Sequence, residues 1–324
     1  MPHVTDTPPP EIQEDLADLD RALDEALPPR TIDRILLIAT WNVRAFGGLT
    51  EKWVADEDDS PKRDLQSLHT IAAVIRRFDV VALQEVKGNL KALRHTLKLL
   101  GPNWGLLLTD VTRGSPGNDE RLCFLYDRRT VQPSGLAGEL VVPQEQLDKR
   151  DIEEGALREQ FARTPYAVSF RAGSQTFILV TLHVLYGNSA EARTPELRAI
   201  AEWLDEWARD VNAWGHNLIA LGDFNIDREG DERYEAFTAT GLTVPDDLNE
   251  VPRTIFSDED EAGKFYDQIA WFTAGEGRPA LSLDYRTSGS FDFREVALPR
   301  RGLSNRSLSW RISDHYPLWT AFGL

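Results

Sequence analysis

A chain of 324 residues sets oxygen- and imidazole-bearing side chains at the ends of several short apolar runs. Asn42 follows "LLIATW", Glu85 follows "VVALQ", His183 follows "ILVTL", and Asp223 and Asn225 stand in "LIALGDFN". Asp267 opens "DQIAWF", and Asp314 and His315 precede "YPLWTAF". Any one of these types is common in turns. Their joint recurrence beside buried-strand sequences is the informative fact, because sites form where the ends of several strands converge. Glu85, Asp314 and Asn42 offer oxygen ligands to a hard cation, Mg2+ or Mn2+, that keeps several waters and meets phosphate. Asp and His side chains can then divide the proton transfers. The set favours hydrolysis at phosphorus. Structural zinc is disfavoured, because Cys123 is the only cysteine and no His-x-x-x-His spacing occurs. Neither a Gly-x-Ser-x-Gly elbow nor a Gly-x-x-x-x-Gly-Lys-Ser/Thr loop is present.

The elements that must hold these residues are legible as patterns. "RILLIATWNV", "DVVALQEV", "RLCFLYD", "TFILVTLHV", "NLIALGDFN", "YDQIAWF" and "YPLWTAF" read as buried strands. Leu65, Leu68, Ile71, Ala72 and Ile75 recur at helical spacing, and "NLKALRHTLKLLG" ends on a capping glycine, Gly101. Thr194 and Pro195 mark the start of a helix that carries Leu197, Ile200, Ala201 and Leu204 on one face. Strands mixed with helices predict an α/β arrangement with helices over the sheet faces. Residues 1–33 read as an acidic extension holding an amphipathic helix, with Ile12, Leu16, Leu19, Leu23 and Leu27 on its apolar stripe.

Composition narrows the partners. Hydrophobic residues make up 41% and the formal net charge is -17, so a broad basic surface for polyanions is excluded. A polyanionic substrate then needs locally concentrated basic groups or a bound cation. No apolar run approaches the ~20 residues of a membrane span. The N-terminal stretch lacks the basic-then-apolar pattern of a secretory leader, and a lone cysteine fits a reducing, cytoplasmic location.

The segments "ATWNVR", "LQEV", "ERLCFLYD", "TLHV", "LGDFN", "YDQI" and "SDHYPLW", in that order over residues 35 to about 322, resemble the endonuclease/exonuclease/phosphatase superfamily. "GDFN" followed by "SDHYP" is the specific part. The resemblance implies a four-layered α/β/β/α sandwich over residues 34–324, two mixed β-sheets flanked by helices. It implies Glu85 as principal metal ligand, with Asn42 and Asp314 near it. Asp223 would orient or deprotonate the attacking water, and Asn225 would hold a phosphoryl oxygen. His315 would pair with Asp267 and His183 with Glu120, the pattern of the secreted deoxyribonuclease type. Arg163 in "ARTPYAV" would contact phosphate, and Lys87 would enter a nucleic-acid groove. Tyr186 and Trp310 are candidates to flank the substrate.

Departures stand beside the matches. Asn118 occupies the place of a DNA-stacking tyrosine, the disulfides of the secreted enzymes cannot form, and the charge is strongly acidic. The expectation is a monomeric, membrane-free, divalent-metal-dependent phosphodiesterase acting on nucleic acid, DNA first, as an endonuclease. The alternative is a phosphatase or phospholipase-like hydrolase of a small, inositol or lipid phosphate. A non-catalytic binding module on the same fold is the third reading.

Overall fold

The structure, a computed structural model, describes residues 1–111, 118–140, 163–184, 186, 193–209, 217–256, 264–273 and 281–324. In chain order the strands are β1 (Ile35–Phe46), β2 (Val80–Lys87), β3 (Trp104–Leu108), β4 (Glu120–Asp127), β5 (Gln132–Glu139) and β6 (Tyr166–Ala172). They continue as β7 (Gln175–His183), β8 (Leu218–Asp223), β9 (Leu242–Thr243), β10 (Asp267–Phe272), β11 (Asp284–Ser290) and β12 (Leu318–Gly323). The main helices are α1 (Pro10–Ala26), α2 (Leu65–Ile75), α3 (Lys91–Leu100) and α4 (Thr194–Arg209).

β1 explains the layering. Leu36 and Ile38 enter one apolar cluster, and Leu37, Ala39 and Trp41 enter another. Successive strand side chains point to opposite faces, so a strand apolar on both faces needs cover on both. One face meets a second sheet and the other meets helices. The first sheet runs β11-β12-β1-β2-β4-β3 and the second β5-β6-β7-β8-β10-β9. Their facing sides, together with α4, share the first cluster, while α1, α2 and α3 pack with the outer face of the first sheet in the second. The molecule is a four-layered α/β/β/α sandwich of two mixed sheets.

Two parallel pairs sit at the middle of the sheets, β1 with β2 and β7 with β8. Parallel neighbours need a crossover, and α2 and α4 supply it. Asp64 caps α2 by accepting the Ser67 amide, and Gly101, at φ 92°, closes α3. Leu19 and Leu23 of α1 are buried in the second cluster, and Asp15 takes a hydrogen bond from Gln66 at 2.8 Å. The N-terminal helix is therefore packed on the body rather than tethered beside it. Cys123 of β4 is fully buried opposite Leu83, and burial pushes its thiol well above the usual range. No helix among the described residues is long and apolar enough to cross a membrane.

His315 precedes β12, which begins three residues later at Leu318, and pairs with Thr254 in an isolated bridge. The apolar runs mark inner strands only: β3, β5, β9 and β11 are all sheet edges.

Candidate active site

Sheet register does the first part of the positioning. β7 beside β8 pairs His183 with Asp223, and β8 beside β10 pairs Asp223 with Asp267. Three residues distant in the chain thus share one rung of the second sheet. Gly222 permits the close approach: a Cβ there would lie 2.1 Å from the Leu182 carbonyl oxygen. In the first sheet β1 pairs Asn42 with Gln84 and β4 pairs Glu120 with Lys87. Glu85 lies in a bulge between Leu83 and Val86. It holds φ 59°, and Asn225 holds φ 50°, a left-handed backbone uncommon for residues that carry a side chain.

Asp223 is the centre. Its Oδ2 lies 3.6 Å from His183 Nε2 and 4.0 Å from His315 Nε2. The same oxygen accepts from Asn42 Nδ2 at 2.9 Å, and Oδ1 accepts the Asn225 amide at 3.0 Å. Each histidine turns its other nitrogen to a second carboxylate. His315 Nδ1 lies 2.6 Å from Asp267 Oδ2, and His183 Nδ1 lies 3.2 Å from Glu120 Oε2. Asp223, Asp267 and Glu120 are all buried.

Burial sets the charges. It opposes ionisation of Asp223, but His315 and His183 outweigh it and hold that carboxyl below the usual range. It opposes the charge on His315 too, yet Asp267, Asp223 and Asp314 raise that imidazole well above its ordinary value. Burial pushes Asp267 up to about 6, an effect that the His315 charge only partly offsets. At neutral pH the rung therefore holds ionised carboxylates against a cationic His315. Burial would raise Glu120 as well, but His183, Arg163 and Lys87 bring it down to about 2.

Glu120 is a hub. Lys87 Nζ lies 2.7 Å from its Oε1, Arg163 Nε lies 2.7 Å from its Oε2, and Asn118 donates to Oε1 at 2.6 Å. Arg163 and Lys87, expected at the substrate, both contact the partner of His183. Asn225 donates from Nδ2 to the Val184 carbonyl at 2.7 Å, so one of its two amide hydrogens is engaged. Asp314 pairs with Arg44 at 3.2 Å. Tyr186 is exposed, lies under the Arg193 guanidinium and meets Tyr266 edge-on, and Tyr266 in turn lies 5.9 Å from the His315 ring.

The donors near Glu85 fit a hard cation in part. Asn42 Oδ1 is buried and accepts no hydrogen bond within the protein, while Nδ2 of the same amide lies 3.3 Å from Glu85 Oε1. An orphaned amide oxygen beside a half-buried carboxylate is an oxygen-donor pair that Mg2+ or Mn2+ would satisfy. Among the described residues no three His, Cys, Asp or Glu side chains converge as a ready cage.

The endonuclease/exonuclease/phosphatase profile matches residues 39–315, an interval that runs from β1 to His315. The chain belongs to the endonuclease/exonuclease/phosphatase family. Like the family, it is a phosphoric ester hydrolase. A deoxyribonuclease of Thioalkalivibrio sp. (strain K90mix) is 24% identical over 295 residues, covering 89% of this chain and 71% of that protein. Deoxyribonuclease-1 of Bos taurus is 26% identical over 298 residues, covering 87% of this chain and 90% of that protein. In fold, the chain is similar to a conserved protein of unknown function from Enterococcus faecalis V583, with a TM-score of 0.58 at 17% identity, covering 89% of this chain and all of that one.

Several residues that build this endonuclease/exonuclease/phosphatase site escape a reading of the sequence. Arg63 is buried and donates to the carbonyls of Arg44, Ala45, Arg311 and Ile312, tying the end of β1 to the segment before His315. Burial lowers its guanidinium to about 10 against the pull of Glu85, Asp314 and Asp64. Ser313 donates to the Asn42 carbonyl at 2.6 Å and accepts from the His315 amide at 3.1 Å. Arg193 donates to the carbonyls of Asn225 and Tyr186, both at 2.7 Å. Arg253 donates to the Asp267 carbonyl at 2.7 Å. Gln84 alone left a signal, as an amide inside an apolar run; it donates to Thr181 at 2.9 Å and to Thr40 at 3.1 Å.

Proposed function

We propose that this protein is a divalent-cation-dependent phosphodiesterase that cleaves nucleic acid, most simply DNA, as an endonuclease. One observation carries the reading. Two histidines, each backed by its own buried carboxylate, present Nε2 atoms to the same oxygen of Asp223. A phosphate lodged there meets a proton acceptor and two proton carriers at once. The deoxyribonuclease relatives support nucleic acid as the substrate class.

Glu85 and Asn42, with Asp314 on their flank, would hold the cation. Bound there, it supplies positive charge for the phosphate that a chain of net charge -17 lacks. Ionised Asp223 orients the attacking water and takes its proton. Cationic His315, fixed by Asp267, donates at Nε2 to the leaving oxygen, and His183, fixed by Glu120, faces the phosphate from the other side. Attack is in line, with inversion at phosphorus. Asn225 gives its remaining amide hydrogen to a phosphoryl oxygen. Arg163 and Lys87 reach phosphate once Glu120 shares them, and Tyr186 forms the rim. All these groups come from one chain, so a monomer working without a membrane or an obligate partner suffices. The lone buried Cys123 fits a reducing compartment, the cytoplasm.

Plasmid nicking with Mg2+ or Mn2+ tests the reading, run beside phosphate release from inositol phosphates. Nicking is expected, lost on chelation, and reduced about 10² to 10⁴-fold in His183→Ala and in His315→Ala. Release of phosphate without nicking would favour the small-phosphate hydrolase, the reading to which the acidic surface lends some weight.

A further inference from the structure

Among the described residues, the exposed large aromatic side chains are Tyr186 and Trp310. Trp310 is 46% exposed. Arg44 covers one face of its indole, with the guanidinium carbon 3.9 Å from the ring centroid. The same guanidinium reaches Asp314, the neighbour of His315, at 3.2 Å and Ser309 at 2.7 Å. Trp310 is therefore two side chains removed from the histidine that meets Asp223. It lines a cleft of about 380 Å³ together with Lys62, Arg306 and Arg311. Arg306 is exposed. Arg311 Nε is buried with no acceptor in the protein. Asp56 and Glu57 also line it; Lys62 Nζ donates to the Asp56 carbonyl at 3.2 Å, and Asp56 is paired with Lys52 at 2.7 Å.

We propose that this cleft is a subsite for an unpaired nucleobase next to the scissile phosphate, so that the substrate is single-stranded or locally opened nucleic acid. The proposal rests on the nucleic-acid reading above and names its substrate class. An intact duplex keeps its base faces stacked and offers only groove edges and backbone. An exposed aromatic face with arginines beside it is matched instead by a base that has left its stack, followed by its phosphate. Arg44 fixes the indole from behind, the free face takes the base, and Arg306 takes the next phosphate.

The test compares two single-stranded oligonucleotides, one of which lacks the base beside the cleavage position, and a duplex of the same sequence. The wild-type protein is expected to cleave the complete single strand about tenfold more efficiently than the base-lacking one, through KM. Trp310→Ala should level the two, and Trp310→Phe should restore most of the difference. Equal rates with and without the base in the wild type, or faster cleavage of the duplex, would overturn the subsite while leaving a nuclease in place. Cleavage of no oligonucleotide, with phosphate released from inositol phosphates, would overturn the parent reading and the subsite with it.

Discussion

Glu120 shows how much one side chain is asked to balance. It is 1% exposed, yet it faces His183, Arg163 and Lys87. Burial works against its charge, and its contacts with His183, Arg163 and Lys87 win, taking its pKa from 4.5 to about 2. A carboxylate whose folded pKa is depressed contributes stability above its unfolded pKa and loses it as pH falls through the folded one. The contribution is about 3 kcal/mol at neutral pH, at 1.36 kcal/mol per unit. Glu120→Gln should therefore unfold at lower urea concentration at pH 7. Its deficit relative to the wild type should shrink as pH falls from 4.5 toward 2. A deficit that stays constant over that range would mean that the ion-pair cluster does not act through charge.

At the scale of elements, the sheets are joined beneath the site by a polar bridge. Gln84 of β2 reaches Thr40 of β1 and, across the sandwich, Thr181 of β7. Each partner sits one or two residues before a site residue: Asn42, Glu85 or His183. The bridge sets the gap between the cation donors on one sheet and the histidine rung on the other. Gln84→Leu leaves two buried hydroxyls short of a partner, a cost of about 1–3 kcal/mol each. A shift of the sheets by a fraction of an ångström should lower the nicking rate by more than about tenfold. Urea melts and nicking rates on the same variant separate the effects, and lost stability at an unchanged rate would reduce the bridge to scaffolding.

The same scale explains what was legible in the sequence. β1, β2, β4, β7, β8, β10 and β12 are covered on both faces or nearly so, and their apolar runs announce them. Edge strands carry no such run. β5 reads "QPSGLAGE" and alternates between exposed and half-buried. β11 reads "DYRTSGS" and buries only two residues. β6, "YAVSFRA", is an inner strand too, with Ser169 and Arg171 interrupting its apolar run. The site divides in the same way. Asp, Asn and His at strand ends could be picked out by type, since chemistry restricts which residues serve. Arg63, Arg193 and Arg253 could not, because their partners are backbone carbonyls, which every residue has. Arg63 binds carbonyls as far as 249 positions away, so local spacing holds no trace of the contact.

For the whole molecule, the net charge of -17 governs how substrate is held. Basic groups near the site are largely committed: Arg44 to Asp314, Lys87 and Arg163 to Glu120. Few remain to displace counterions from a polyanion. Binding of an oligonucleotide at fixed divalent-ion concentration should weaken only gently with added monovalent salt. The slope should correspond to about two or three neutralised phosphates. A slope of about six or more would show a basic track elsewhere on the surface.

The sealed sulfur on β4 has a further use. Cys123 lies fully covered within the sandwich, opposite Leu83, with its proton held tightly. An alkylating reagent can reach it only in moments when β4 parts from its neighbours. The speed of that labelling counts openings of the native state directly, and the chain supplies its own reporter without an engineered tag.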